Sequence, residues 1–196
     1  LKDKVASNLA LRVKADNMHI DVGLLGTKSI LNALSENGYP DIAYVLASNK
    51  TFPSWGWWIV NGATSFYENW PINATDDISM NHIMFGEINA WFYKTLGGIK
   101  PDPLNPGFKN ILLQPAFPEG LPSARVTHQS GYGEIISDWK RVKNRIFYNV
   151  TIPANSTADL LLPAGFMMKK VTEKTSGKAV EVNADGSGEY HLPAGS

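Results

Sequence analysis

In the first half of the chain, apolar residues return with a helical period. Val5, Leu9 and Val13 recur every four residues, and Leu24, Leu31 and Leu34 share one face of a second segment. The second segment stops at Asn37-Gly38, a pair suited to the left-handed turn that closes a helix. Pro40-Asp41 opens a third, with a proline and an acid in the first turn ahead of Ile42, Val45 and Leu46. A fourth follows the polar run Asp76-Asp77-Ile78-Ser79, carries Ile83, Phe85, Ile88, Trp91, Phe92 and Leu96, and ends at Gly97-Gly98.

Lys100–Gly107 then places Pro101, Pro103 and Pro106 close together, which forbids a helix and reads as a linker. Beyond it the period falls to two. Ile111–Leu113, Arg125–His128, Glu134–Trp139, Arg145–Ile152 and Ala158–Leu162 are short β-branched or aromatic runs, separated by turn residues such as Lys143-Asn144 and Pro153-Ala154-Asn155. Lys169–Thr172, Ala179–Val182 and Glu189–Leu192 add weaker runs, with Asp185-Gly186 as a hairpin turn. The expectation is α plus β in separate domains, helical over residues 1–105 and an antiparallel β-sandwich over residues 106–196.

Bulk properties remove several function classes. The net charge over 196 residues is zero with acids and bases interspersed, so no basic stripe exists to collect phosphates, and a nucleic-acid partner is not expected. No apolar run reaches the length of a membrane span, so no membrane partner is expected either. Cysteine is absent and the four histidines lack metal-ligand spacing, which points away from a metal site. No phosphate loop and no Gly-x-Ser-x-Gly elbow occur, and no cofactor is implied.

One segment carries candidate chemistry. Trp55–Trp70 gathers four of the six tryptophans, with Phe66 and Tyr67, around a single carboxylate, Glu68. Aromatic faces stack on the C–H faces of a pyranose, and an acid flanked by apolar side chains is suited to proton transfer. The competing reading makes the tryptophans core and Glu68 a solvated cap. Asp76 and Asp77 could pair with Glu68, although their place ahead of a helix suits capping better. His82, beside Asn81 at a helix start, is open to a capping role or to hydrogen bonds with sugar hydroxyls. His19 lies in a polar connection where either reading holds.

A series of elements in order resembles a family. They are His19-x-Asp21-x-Gly23-x-Leu25-Gly26-Thr27, Gly38-Tyr39-Pro40-Asp41, Phe52-Pro53-Ser54-Trp55-Gly56, Gly62-Ala63-Thr64-Ser65-Phe66-Tyr67-Glu68 and Ser79-Met80-Asn81-His82. Trp91-Phe92-Tyr93 with Gly97-Gly98-Ile99 follows, then Ser130-Gly131-Tyr132-Gly133-Glu134 and Ile152-Pro153-Ala154-Asn155 in the β part. Together they resemble the bacterial α-L-rhamnosidases, inverting glycoside hydrolases built on an (α/α)6 barrel with a C-terminal β-sandwich. The resemblance implies that residues 1–105 are the last helices of that barrel and that the substrate is a rhamnose-containing glycan or glycoside.

The same resemblance gives Glu68 the role of general base and sets His82 against the bound rhamnose. Trp55, Trp57 or Trp58 would supply stacking surface. Tyr67 stands in place of a family Trp, Asn69 of an Arg, and Ala90 of a Glu, differences that bear on the detailed substrate. An inverting glycosidase needs a second carboxylate as acid. The family's lies in an acidic loop far upstream that does not occur here, and a full barrel needs more helices than this chain supplies. The expectation is therefore a C-terminal piece of a longer enzyme, inactive alone, whose partner is the missing N-terminal part of the same polypeptide. The alternative is a non-catalytic carbohydrate-binding or structural accessory unit of a glycoside hydrolase.

Overall fold

The computed structural model of the chain describes residues 1–73, 78–168, 170–172 and 189–194. Contacts divide the chain into two compact units, Leu1–Trp91 and Phe92–Ser196.

In the first unit, α1 (Lys2–Ala15) buries Ala6, Ala10 and Val13. Of the expected Val5, Leu9 and Val13 face, Val13 is buried, Leu9 half-buried and Val5 exposed, because the small side chains of Ala6 and Ala10 turn to the core instead. It ends where Asn17 and Met18 adopt positive φ angles of 54° and 59° and Met18 N–H closes back on the Val13 carbonyl at 2.9 Å. α2 (Leu24–Ser35) buries Thr27, Ile30, Leu31 and Leu34. After Gly38, α3 (Pro40–Ser48) starts on its proline and buries Ile42, Ala43 and Leu46.

The next helix has no amphipathic signal. α4 (Trp55–Val60) is apolar nearly throughout, and Ser54 starts it by accepting the Trp57 N–H on its hydroxyl at 2.9 Å. Gly56 is required there for space, since a Cβ would lie 2.2 Å from the Asn49 carbonyl oxygen. The expected fourth periodic helix forms in pieces. A 3-10 turn (Ile83–Gly86) leads into α5 (Glu87–Trp91), burying Phe85, Ile88 and Trp91 while Ile83 faces outward.

The second unit opens with a π-helical turn, Phe92–Leu96, and apart from a 3-10 turn at Pro106–Phe108 its described elements are strands. β1 (Ile99–Pro101), β2 (Asn110–Leu113), β6 (Thr157–Leu161) and β7 (Glu189–Leu192) form one sheet in the order β1-β2-β6-β7. β3 (Ser123–Ser130), β4 (Gly133–Val142) and β5 (Arg145–Thr151) form an antiparallel meander. The two sheets share a core of Ile99, Ile111, Leu113, Ile135, Ile152, Ala158 and Leu160. A helical segment followed by a β-sheet domain is thus what the chain forms. One pair departs from the antiparallel expectation: β2 and β6 run parallel, Ile111 opposite Ala158. No short turn joins those two strands, so turn spacing carries no information on their direction.

The proline-rich segment read as a linker is folded into the second unit. Pro101 ends β1, and the Asp102 carboxylate accepts hydrogen bonds from Leu104 N–H, Asn105 Nδ2 and Asn110 Nδ2 at 2.8 to 3.0 Å. The Asn105 and Asn110 amides, then the Leu104 N–H, hold this carboxyl below its ordinary value. The strand and turn before residue 106 therefore pack with the sheets, whereas the sequence reading set the division at 105/106. The expected strands at Lys169–Thr172 and Ala179–Val182 and the turn at Asp185-Gly186 lie wholly or partly outside the described residues.

Candidate functional site

Glu68 sits in the connection between α4 and the 3-10 turn, and its surroundings follow from two features of that connection. The first is an aromatic cluster. Trp58 lies at its centre, with ring centroids of Trp70, Phe85 and Tyr67 at 4.9, 5.1 and 5.6 Å. Trp70 also meets Trp55 edge-on at 5.3 Å and Phe85 at 4.7 Å. Each indole N–H of this group is spent on a backbone carbonyl: Trp55 on Phe85 at 3.0 Å, Trp58 on Trp70 at 2.8 Å and Trp70 on Val22 at 2.9 Å.

The second feature is a backbone exchange between residues 65–68 and 79–82. Glu68 N–H donates to the Ser79 carbonyl at 2.9 Å, His82 N–H donates to the Phe66 carbonyl at 2.7 Å, and the Ser65 hydroxyl bonds the Met80 carbonyl. Ser79 N–H returns a hydrogen bond of 2.9 Å to the Glu68 carboxylate at Oε2. One carboxylate oxygen is thereby anchored by a charge-assisted bond, while the other has no donor among the described residues. Glu68 itself is half-buried, between buried Tyr67 and exposed Asn69.

His82 caps the 3-10 turn. Its Nδ1 accepts the Met84 N–H at 3.3 Å, which leaves the ring proton of the neutral imidazole on Nε2, a donor suited to a hydroxyl oxygen. Helix-start capping and ligand donation are therefore compatible, because they use different ring nitrogens.

The structure thus brings the Glu68 and His82 segments side by side. It separates the three tryptophans. Trp55 is 4% exposed and Trp58 2%, so neither offers a free face to a pyranose, and the stacking role expected of them is corrected to a packing role. Trp57 is half-buried, meets Phe52 edge-on at 6.0 Å, and keeps a buried Nε1 without a hydrogen-bond partner among the described residues. Asp76 and Asp77 lie outside the described residues. His19 bonds the Asn17 carbonyl through Nδ1 at 2.9 Å and the Thr51 hydroxyl through Nε2 at 2.8 Å, bracing two turns with both ring nitrogens. Sequence reasoning did not find the Ser79 amide as the partner of Glu68. A backbone donor leaves no mark on residue type, and only the distance of Ser79 from Glu68 along a doubled-back chain could have hinted at it.

Comparison with known proteins gives a consistent picture. Residues 1–96 match the bacterial alpha-L-rhamnosidase 6 hairpin glycosidase domain, and residues 98–177 the bacterial alpha-L-rhamnosidase C-terminal domain. The chain is similar to an alpha-L-rhamnosidase of Streptomyces avermitilis, 29% identical over 203 residues that cover 100% of this chain and 19% of that protein. An alpha-L-rhamnosidase of Formosa agariphila is 33% identical over 169 residues, 83% of this chain and 18% of that protein. Among solved structures, the Streptomyces avermitilis alpha-L-rhamnosidase complexed with L-rhamnose superposes with a TM-score of 0.79 at 26% identity, covering 98% of this chain and 19% of that one. The alpha-L-rhamnosidase from Dictyoglumus thermophilum gives 0.78 at 28% identity, covering 93% and 21%. The chain therefore spans about a fifth of the length of the relatives it matches.

Proposed function

We propose, because the chain belongs to the bacterial alpha-L-rhamnosidase family, that it is the C-terminal part of an inverting α-L-rhamnosidase in which Glu68 is the general base. The substrate is a glycan or glycoside ending in an α-L-rhamnosyl unit. Glu68 takes a proton from water as that water attacks the anomeric carbon, and a carboxylic acid elsewhere in the polypeptide protonates the departing oxygen. His82 donates from Nε2 to a rhamnose hydroxyl, and Trp57, the one of the three tryptophans that is not buried, offers the aromatic surface.

The observation that carries this reading is the bond from Ser79 N–H to Glu68 Oε2 at 2.9 Å. It fixes one oxygen of the carboxylate within the same backbone exchange that brings the His82 segment alongside, and the other oxygen, without a donor among the described residues, holds the water. An inverting pair holds its carboxyl groups about 6.5–9.5 Å apart so that the water fits between them. On this reading the acid lies outside these residues, and the isolated chain does not turn over rhamnosides.

The test is Glu68→Gln in the full-length polypeptide with an aryl α-L-rhamnoside. The substitution keeps the shape and removes the base, so kcat should fall by roughly 10²–10⁴-fold with KM little changed. Turnover within a few-fold of the unsubstituted enzyme sinks the assignment. The accessory-unit alternative has no specific structural observation in its favour: the aromatic faces that would make a binding platform around Glu68 are largely spent on packing.

A further inference from the structure

We infer that Trp58 is a positioning residue for the Glu68 carboxylate, acting through the two residues that bracket it. The inference rests on the general-base reading of Glu68. Trp58 is 2% exposed, so it meets no substrate. Besides Phe85, its ring meets two residues of the segment that carries the base. On one side of Glu68, buried Tyr67 packs against the Trp58 ring at 5.6 Å. On the other, Trp70 packs against the same ring at 4.9 Å, and its carbonyl accepts the Trp58 Nε1–H at 2.8 Å.

The base is therefore held from both ends by one side chain on α4. Ser54 sets the start of that helix, and Gly56 lets it approach the Asn49 carbonyl. The Ser79 amide then orients the carboxylate within a segment already placed. These two anchors differ in kind. Ring packing on Tyr67 and Trp70 survives replacement by another aromatic side chain, whereas the bond to the Trp70 carbonyl needs the indole N–H.

That division allows an experiment on the hydrogen bond alone. Without its donor, the Trp70 carbonyl must shift toward another, and Glu68 lies two residues away. Proton transfer depends on placement of the base at hydrogen-bond reach, so a displacement well under 1 Å lowers kcat while groups that bind the sugar elsewhere keep KM. In the full-length polypeptide, Trp58→Phe should lower kcat about tenfold or more and leave KM within about threefold. Replacing Trp58 by benzothienylalanine, which keeps the fused ring and exchanges only N–H for sulfur, should reproduce the loss. It also serves if the phenylalanine variant does not fold.

Trp91→Phe is the control for a general loss of packing. Trp91 is fully buried in the same unit and donates its Nε1–H to the Ser35 hydroxyl at 2.9 Å. Its variant should lose thermal stability while keeping kcat. Unchanged kcat in the benzothienylalanine variant overturns the inference, as does a loss that Trp91→Phe shares at equal loss of melting temperature. If Glu68→Gln retains turnover, the general-base reading fails and the positioning role with it. If Glu68→Gln is inactive and both Trp58 variants keep their kcat, the positioning role alone fails.

Discussion

Replacing Trp139 with phenylalanine probes the packing of the β unit at its most buried large side chain. Trp139 lies on β4 with no measurable exposure, meets Phe117 edge-on at 5.2 Å, and donates Nε1–H to the Leu96 carbonyl at 2.8 Å. Phenylalanine keeps an aromatic ring but leaves that carbonyl unpaired, which costs about 1–3 kcal/mol when the group is buried. The lost volume is roughly 40 Å3, and at about 24 cal/mol per Å3 of residual cavity it adds about 1 kcal/mol. The sum is about 2–4 kcal/mol. For a unit of roughly 100 residues each kcal/mol moves Tm by about 4–8 °C, so calorimetry should find the transition of the β unit lowered by about 10 °C or more. A shift below about 2 °C would refute the reasoning, because neither the hydrogen bond nor the cavity would then have its assigned cost.

Two further outcomes follow from local geometry. Gly56→Ala drives a Cβ to 2.2 Å from the Asn49 carbonyl oxygen, so urea unfolding of the first unit should show a loss of about 1–3 kcal/mol, with the midpoint moved and the slope kept. Burial pushes the Tyr148 phenol above its ordinary value, against the opposing bond with the Ser137 hydroxyl at 3.0 Å. The unfolded phenol ionises near pH 10 and the folded one only at higher pH, so stability should fall as pH rises past about 10. Tyr148→Phe should flatten that alkaline limb in a pH series of melting temperatures.

Much of this architecture is written locally. Leu31 and Leu34 mark the buried face of α2 because a core on one side of a helix selects apolar residues at helical spacing, whereas in α1 the core takes Ala6 and Ala10 with Val13 and leaves Val5 exposed. The meander β3–β4–β5 is legible because its turns join neighbours in sequence, with Lys143 at a positive φ of 54° at one of them. What was missed depends on partners far along the chain. α4 is apolar on every side, so its helix shows no period; Ser54 and the surrounding cluster define it. The parallel β2–β6 pair joins Ile111 to Ala158, and no local signal records that meeting. The prolines of Lys100–Gly107 mark a break in helix correctly, but the Asp102 hydrogen bonds make the segment part of a fold.

The candidate site divides the same way. Glu68 stands out because aromatic neighbours crowd one carboxylate, and the family resemblance assigns its role. Which tryptophans turn a face outward is a matter of tertiary packing, so Trp55, Trp57 and Trp58 are equivalent in sequence and distinct in structure. The Ser79 amide is a backbone group, invisible to any reading of side chains.

The most direct test of Glu68 as the base is the product that Glu68→Ala forms with azide in the full-length polypeptide. Azide needs no proton removed, so it can replace the water that Glu68 would activate. Its terminal nitrogen forms a bond to the anomeric carbon as the bond to the aryl oxygen breaks, the electron pair leaving with the aryloxide. The account predicts that azide restores turnover of an aryl α-L-rhamnoside and that proton NMR identifies the product as the β-L-rhamnosyl azide. No rescue, or an α-configured azide, would contradict it.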